Sequence, residues 1–181
     1  LQEKMNIPVF HDDQHGTAIV VLAALINCMR LKGTTPESQK VVISGCGAAG
    51  SSIIRMLYAY GFRKIYAFDV DGCVDPDHSE NYNDLKKELL NYVNLDHQHY
   101  SSLAEAMVKA DIFIGVSAPR LVTTEMVASM NQGNIVFAMA NPEPEITYDK
   151  VKEAGAYIIG TGRSDYPNQE IGRASRRERV Y

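Results

Sequence analysis

The stretch VVISGCGAAG, which runs from Val41 to Gly50, decides the fold of this chain. Its first three residues form a short, continuous apolar run, which is typical of a strand buried on both faces. A glycine-rich turn with the spacing G-x-G-x-x-G follows. The next residues, SSIIRMLYAYG, have a helical pattern that ends at Gly61. The stretch therefore predicts a strand, a tight turn and a helix in direct succession.

The same alternation continues on both sides of this unit. Residues 17–31 are apolar almost all round and predict a core helix. KIYAFD, DIFIGV, NIVFAMA and AYIIG are further strand patterns, and helical patterns separate them. Strands that alternate with helices over about 150 residues indicate parallel β-α-β units. We therefore predict an α/β fold: a Rossmann-like, doubly wound, mostly parallel sheet with helices on both faces.

The glycine turn also has the chemistry of a dinucleotide site. A first glycine permits the tight turn, a second lets a pyrophosphate approach the backbone, and a third allows close packing of helix on strand. The helix N-terminus supplies N–H groups for phosphate, and an acidic residue at the end of the next strand accepts ribose hydroxyls. A tight turn without a ligand is the alternative. The predicted cofactor contacts here are Gly45, Gly47, Ala48, Ala49, Gly50 and Asp69.

Two other strand ends carry polar residues toward the same edge. GVSAP ends one strand and contains Ser117, which we predict to contact the cofactor; ANPEPE ends the next strand and contains Asn141. In open α/β sheets, ligands bind outside the carboxyl ends of the strands. Asn141 offers a donor and an acceptor to a carboxylate or carboxamide group, although an Asn-Pro pair also commonly begins a turn.

A third motif, HDDQHGTA, places Asp12 beside Asp13 just before the long apolar helix. Adjacent carboxylates in a cleft repel each other and lose hydration, so a bound cation would explain them. The alternative is a helix cap, because aspartate accepts hydrogen bonds from free helix N–H groups. If the segment is extended, only one of the two side chains should face the metal.

Composition restricts the class of protein. The chain has 181 residues, 45% hydrophobic residues and a net charge of −4, without the basic stripe of a nucleic-acid binder. The three cysteines lack C-x-x-C spacing and favour a reducing, cytoplasmic location. The apolar run from Ala18 to Met29 is short for a membrane span. We expect His78, His97 and His99 to be solvated, because they fall in polar segments.

IPVFHDDQHGTA, GCGAAG, FIGVSAP, FAMANPEPEI and TGRSDYPNQ, in this order and spacing, resemble the NAD-binding domain of bacterial malic enzymes. The resemblance covers residues 1–169. It implies oxidative decarboxylation of malate to pyruvate and CO₂, with reduction of NAD or NADP, of which we expect NAD, and with Mg²⁺ or Mn²⁺. It also implies a homo-oligomer when the chain is full length, with no membrane or nucleic-acid partner.

The resemblance assigns roles to individual residues. Asp13 is the implied metal ligand, Asp12 lies beside it, His11 and His15 support them, and Asn141 contacts the substrate. The lysine and tyrosine that transfer protons in the family lie upstream of the region represented here. No catalytic residue is therefore assigned in this chain, and we expect residues 1–181 alone to be inactive.

One residue departs from the family pattern. Arg120 stands where relatives usually have glycine, and it is a candidate cation near the cofactor that would favour NADP.

Two other functions stay open from the residues alone. One is a different Rossmann-type dehydrogenase, such as an amino-acid dehydrogenase; the other is a non-catalytic nucleotide-binding module. The last twelve residues, 170–181, contain four arginines and no hydrophobic period. We expect them to be a non-native extension or a disordered tail.

Overall fold

Parallel strands dominate the sheet of this structure, a computed structural model that describes residues 4–7 and 9–162 and, at Asp13, the backbone alone. The strands are β1 (Lys40–Ser44), β2 (Lys64–Asp69), β3 (Gly72–Cys73), β4 (Ile112–Gly115), β5 (Ile135–Ala138) and β6 (Ile158–Thr161). Their order is β3-β2-β1-β4-β5-β6, and only β3 is antiparallel to its neighbour within these residues. The predicted mostly parallel sheet is confirmed.

The helices connect the strands as the sequence predicts. They are α1 (Thr17–Lys32), α2 (Ala48–Tyr60), α3 (Asp84–Leu89), α4 (Leu103–Met107), α5 (Thr124–Ala128) and α6 (Tyr148–Glu153). A π-helical turn, Asp12–Gly16, leads into α1. The pattern NDLKKELLNYV predicts a longer α3 than the structure has. The helix ends early because the chain turns to bury Val93, and Asn94 then adopts a positive φ of 47°.

Two apolar cores lie on opposite faces of the sheet. On one face, Ile43 and Ile65 pack with residues of α1, α2 and α3; on the other, Phe113 and Val136 pack with residues of α4, α5 and α6. Successive residues of a strand point to opposite faces, so each of the five parallel strands contributes to both cores. This confirms the predicted placement of helices on both faces.

The apolar helix α1 is only partly buried. Val21 and Leu25 are fully buried, whereas 73% of Leu31 is exposed. The helical stretch Gln14–Lys32 is long and apolar enough to cross a membrane by length and composition alone. However, α1 packs against α2 and contributes to the core of the sheet, as the core helix of a soluble domain does.

Candidate functional site

The glycine turn between β1 and α2 is held tightly between its neighbours. The Gly45 N–H donates to Phe68 O at 2.7 Å, and the Val116 N–H donates to Ser44 O at 2.9 Å. Gly45 has a φ of 107°, and a Cβ there would lie 2.8 Å from Val116 O. A residue with a side chain would meet both backbone strain and a clash, so this position requires glycine.

The other two glycines of the motif differ in their surroundings. A Cβ on Gly50 would lie 1.8 Å from Gly45 O, so α2 packs directly on the turn. A Cβ on Gly47 would meet no atom within 4 Å. Gly47 is the N-cap of α2, and its side-chain position opens to solvent at the positive end of the helix. This geometry leaves room for a phosphate at Gly47; the predicted cofactor contacts of the turn themselves stay predictions.

Asp69, the predicted ribose acceptor, lies at the end of β2 and is paired with a lysine. Lys86 Nζ, from α3, lies 2.8 Å from Asp69 Oδ2 and 2.7 Å from Asp71 Oδ2. Hydrogen bonds to the two carboxylates raise the pKa of the Lys86 ammonium, and only 10% of this side chain is exposed. Sequence reasoning missed Lys86, because its pattern alone marks it as one more polar residue of an amphipathic helix.

Arg120, which the sequence suggests as a cation near the cofactor, forms an ion pair with Glu143. Its Nη2 lies 2.8 Å from Glu143 Oε2, and 80% of the side chain is exposed. The cation beside Asp69 is therefore Lys86. Arg120 has a positive φ of 61°, a conformation that favours glycine.

A buried carboxylate connects the ends of β4 and β5. Glu145 Oε1 accepts the Ser117 N–H at 2.9 Å, and Glu145 Oε2 accepts the Ala140 N–H at 3.1 Å. Burial raises the pKa of Glu145, although the backbone hydrogen bonds oppose this. The Ser117 hydroxyl also lies 2.8 Å from the Ser44 hydroxyl, at the end of β1. Glu145 thus fixes the loop of Ser117, a role that sequence reasoning missed; an acidic residue amid apolar neighbours in EPEIT was the available signal.

Asn141 directly follows Ala140 and is exposed. Its Nδ2 makes a long contact, 3.5 Å, to Met139 O. The structure therefore places Asp69, the glycine turn, Ser117 and Asn141 along the carboxyl edge of the sheet. Contact with substrate stays a prediction.

The HDDQHGTA segment is helical where an extended segment was considered. The His15 N–H donates to His11 O, and the Thr17 N–H donates to Asp12 O, five residues back. Such π-turns are frequent at functional sites. The His11 side chain makes no capping hydrogen bond at the start of this turn, and the N-cap residue of α1 is Gly16, which has no side chain.

Among the residues that the structure describes, two buried polar atoms of this turn have no hydrogen-bond partner. They are Asp12 Oδ1 and His15 Nδ1. An unsatisfied buried oxygen of a carboxylate is costly, so this position suits a cation or a donor group from outside the described residues. The side chain of Asp13, the predicted metal ligand, lies outside the described part of the structure.

The sheet order, the glycine turn and the acidic residue at the end of β2 define a dinucleotide-binding domain of the Rossmann class. The family described as "Malic enzyme, NAD binding domain" matches residues 14–164. The chain belongs to this family.

Individual malic enzymes from other organisms are also similar to this chain. The chain is 50% identical over 169 residues to a bifunctional malic/malolactic enzyme of Bacillus subtilis, covering 93% of this chain and 41% of that protein. It is 43% identical to an NADP-dependent malic enzyme of Haemophilus influenzae, covering 93% and 22%. The crystal structure of an NAD-dependent malic enzyme from Thermotoga maritima superimposes with a TM-score of 0.88 at 42% identity, covering 93% and 45%. The chain thus spans less than half the length of these relatives.

Proposed function

We propose that the protein containing this chain converts malate and NAD⁺ to pyruvate, CO₂ and NADH with the help of Mg²⁺ or Mn²⁺. The observation that carries the proposal is the buried Asp12 Oδ1, which has no partner within the described part of the chain and lies in a turn that packs against the helix of the glycine turn. It supports a cation beside a dinucleotide site, which is the combination that this chemistry needs. Membership of the malic enzyme family supports the same reaction.

The chain's part in dinucleotide binding follows from the edge of the sheet. The open space at Gly47 accepts the pyrophosphate, and the free N–H groups at the start of α2 donate to it. Asp69 accepts the ribose hydroxyls. Ser117, which Glu145 and Ser44 hold in place, is a further proposed contact of the cofactor. When bound, the cofactor supplies the hydride acceptor.

The chain's part in metal binding rests on the π-turn. Asp13 is the proposed ligand, and Asp12 is its proposed neighbour in the hydrogen-bond network of the complete active site. Carboxylate oxygens are the ligands that Mg²⁺ and Mn²⁺ prefer. When bound, the metal supplies a Lewis acid for decarboxylation. Asn141, with its exposed amide, orients a carboxylate of malate from the other side of the cleft.

We propose NAD as the preferred cofactor, although both cofactor types occur among the relatives. Two carboxylates, Asp69 and Asp71, face one ammonium group, Lys86, so this cluster keeps a net negative charge. A 2′-phosphate would be repelled, whereas a ribose diol would donate to Asp69. Two unit charges about 4 Å apart interact by roughly 4 kcal/mol at an effective dielectric near 20. Water reduces that value, but about 1.4 kcal/mol already gives tenfold selectivity.

The remaining machinery is proposed from the family resemblance. The proton-transferring lysine and tyrosine belong to an upstream region, so residues 1–181 alone should bind dinucleotide without turning over malate. We further propose a homo-oligomer in the cytoplasm, with no membrane or nucleic-acid partner. The three free cysteines and the negative net charge support this environment.

The test uses the full-length protein with malate, NAD and Mn²⁺. Production of NADH and pyruvate in equal amounts is expected, and an amino acid in place of malate should give no NADH. Asp13→Asn should abolish this activity and weaken Mn²⁺ binding, measured by the paramagnetic resonance of free Mn²⁺, while NAD binding stays unchanged. Asp149→Asn, at an exposed carboxylate of α6, is the control. Retained Mn²⁺ binding by the Asp13 variant would overturn the ligand assignment, and absence of malate oxidation by the wild type would overturn the function.

A further inference from the structure

Two loops outside the dinucleotide site bring carboxylate and imidazole groups together. Asp75 Oδ2 lies 3.2 Å from His78 Nδ1 and 2.8 Å from His99 Nδ1. One ligand atom from each of the three residues lies within 4.8 Å of the other two. We propose that Asp75, His78 and His99 bind a transition-metal ion, with zinc as the best-suited ion, at a site separate from the one at Asp13.

The separations between ligand atoms suit such an ion. In a tetrahedral zinc site with bonds near 2.05 Å, neighbouring ligand atoms lie about 3.3 Å apart. The two oxygen–nitrogen distances at Asp75 come close to this value, so small ring movements would form the site. Water would complete the coordination, because the cluster lines an open cavity and both imidazole side chains are more than half exposed.

Asp75 is a buried ligand whose position is fixed by hydrogen bonds. Its side chain is only 7% exposed, and its Oδ1 accepts the Asp77 N–H at 2.9 Å. Its own N–H donates to the Tyr82 hydroxyl. The carboxylate is therefore held in place before a metal arrives.

Asp77 orients His99 from the side of the ring that faces away from Asp75. Its Oδ2 lies 3.4 Å from His99 Nε2, the ring nitrogen that does not face Asp75. A carboxylate on the far nitrogen of a metal-binding histidine fixes the ring and its tautomer. His97 contacts only Asp77 among these acidic residues, with its Nδ1 3.3 Å from Asp77 Oδ1. His97 is therefore a neighbour of the proposed site and not one of its ligands.

Hydrogen bonds of the buried Asn94 hold the loop that carries His99. Asn94 is buried, and its backbone N–H donates to Ile65 O in β2. Its side-chain oxygen accepts the Gln98 N–H at 2.8 Å, and its side-chain nitrogen donates to Gln98 O at 2.9 Å. These bonds close the turn 94–98 and position His99 beside Asp75. Such bracing lowers the cost of ordering the ligands on binding.

Ligand chemistry separates the two proposed sites. Imidazole nitrogen suits Zn²⁺, Ni²⁺ and Cu²⁺, whereas Mg²⁺ prefers oxygen. Excess Mg²⁺ would therefore fill the all-oxygen site at Asp13 and leave the Asp75 site available to zinc. This distinction allows each site to be measured in the same protein.

The experiment titrates the full-length protein with Zn²⁺ against a chromophoric chelator, in excess Mg²⁺. We expect the wild type to bind one more zinc per chain than His99→Gln or His78→Gln. Asp77→Asn should weaken zinc binding by about 10- to 100-fold. His97→Gln is the matched control and should bind zinc as the wild type does. Zinc should also raise the unfolding temperature of the wild type and of His97→Gln, but not that of His99→Gln.

Two results would overturn the proposal. The first is equal zinc binding by the wild type and both ligand variants, with all proteins folded by circular dichroism. The second is the absence of zinc binding by the wild type, which would leave the cluster as hydrogen-bonded histidines alone. Neither result affects the malate reaction or the Asp13 site, because the two sites share no residue.

Discussion

Lys86 Nζ lies 2.8 Å from Asp69 Oδ2 and thereby ties α3 to the end of β2. The same ammonium group contacts Asp71 at 2.7 Å. The acidic residue that is proposed to accept the adenosine ribose is thus half of an ion pair. Its ability to discriminate between ribose and ribose phosphate depends on a residue 17 positions further along the chain.

Removing this ammonium group should strengthen the preference for NAD. In Lys86→Ala, two carboxylates remain without a counter-charge, so a 2′-phosphate meets more repulsion. We expect kcat/KM for NADP to fall about tenfold, which corresponds to about 1.4 kcal/mol. The value for NAD should change much less. Lys87→Ala, at the exposed neighbouring lysine, is the control and should alter neither value. An equal fall with both cofactors would contradict a charge effect.

Alanine substitutions at two glycines of the turn should affect dinucleotide affinity and folding stability separately. Gly47→Ala adds a methyl group into open space at an ordinary φ of −70°, so the unfolding temperature should stay close to that of the wild type. Dinucleotide affinity should fall at least tenfold, because the methyl group occupies the phosphate position. Gly50→Ala places the same methyl group 1.8 Å from Gly45 O, so that variant should be strongly destabilised. Calorimetric titration with NAD and thermal unfolding measure the two effects; unchanged affinity in the first variant would refute the proposed approach of phosphate.

Gly115 and Glu145 should be energetically coupled. A Cβ on Gly115 would lie 2.3 Å from the Glu145 carboxyl carbon. We expect Gly115→Ala to reduce the free energy of unfolding by about 1–3 kcal/mol through overpacking. Glu145→Ala should cost about 1–3 kcal/mol, because the Ser117 and Ala140 N–H groups lose their acceptor.

The double variant should cost less than the sum of the two, because truncating Glu145 removes the clash. A coupling of at least about 0.5 kcal/mol is expected from urea unfolding. Strict additivity would show that the backbone shifts to avoid the contact.

The three thiols should react slowly near neutral pH. Burial disfavours the thiolate; it raises the pKa of Cys73 to about 11 and that of Cys46 to about 12, and it also raises the pKa of Cys28. A thiol reacts as the thiolate, so each unit of increase in pKa lowers the reactive fraction about tenfold at neutral pH. The alkylation rate should therefore keep rising with pH beyond the range where a free cysteine levels off.

Mass spectrometry of peptides after timed alkylation gives the rate at each cysteine. Denatured protein is the control and should react at all three positions at the rate of free cysteine. Fast modification of native Cys46 at neutral pH would contradict the predicted burial effect.

Local patterns predicted the fold well for a physical reason. A strand buried on both faces is apolar throughout, and the glycine turn is its neighbour in sequence, so the local pattern of Val41–Gly50 is enough to predict a strand, a turn and a helix. The position of Asp69 could be predicted in the same way, because it ends the next strand pattern. The expectation that His78, His97 and His99 are solvated held for their exposure but missed their carboxylate partners.

Contacts between residues far apart in the sequence could not be predicted from local patterns. Glu145 meets Ser117 across 28 positions, and His99 meets Asp75 across 24. Such pairs depend on how loops fold over the sheet, and no local period encodes that. The π-turn at Asp12 was missed for a different reason, because its extra residue per turn has no distinct signature among polar side chains.

Hydrogen bonds to both neighbouring strands hold the turn at Gly45. The Gly45 N–H donates to Phe68 O at the end of β2, and the carbonyl of Ser44 accepts the Val116 N–H just after β4. A loop fixed by its neighbours has little conformational freedom left to lose when a ligand arrives. The entropy of ordering this segment is spent during folding and not during binding, so the affinity for dinucleotide should reflect direct contacts almost entirely. The Gly45 amide, whose N–H donates to Phe68 O, should accordingly exchange hydrogen with solvent slowly even without ligand.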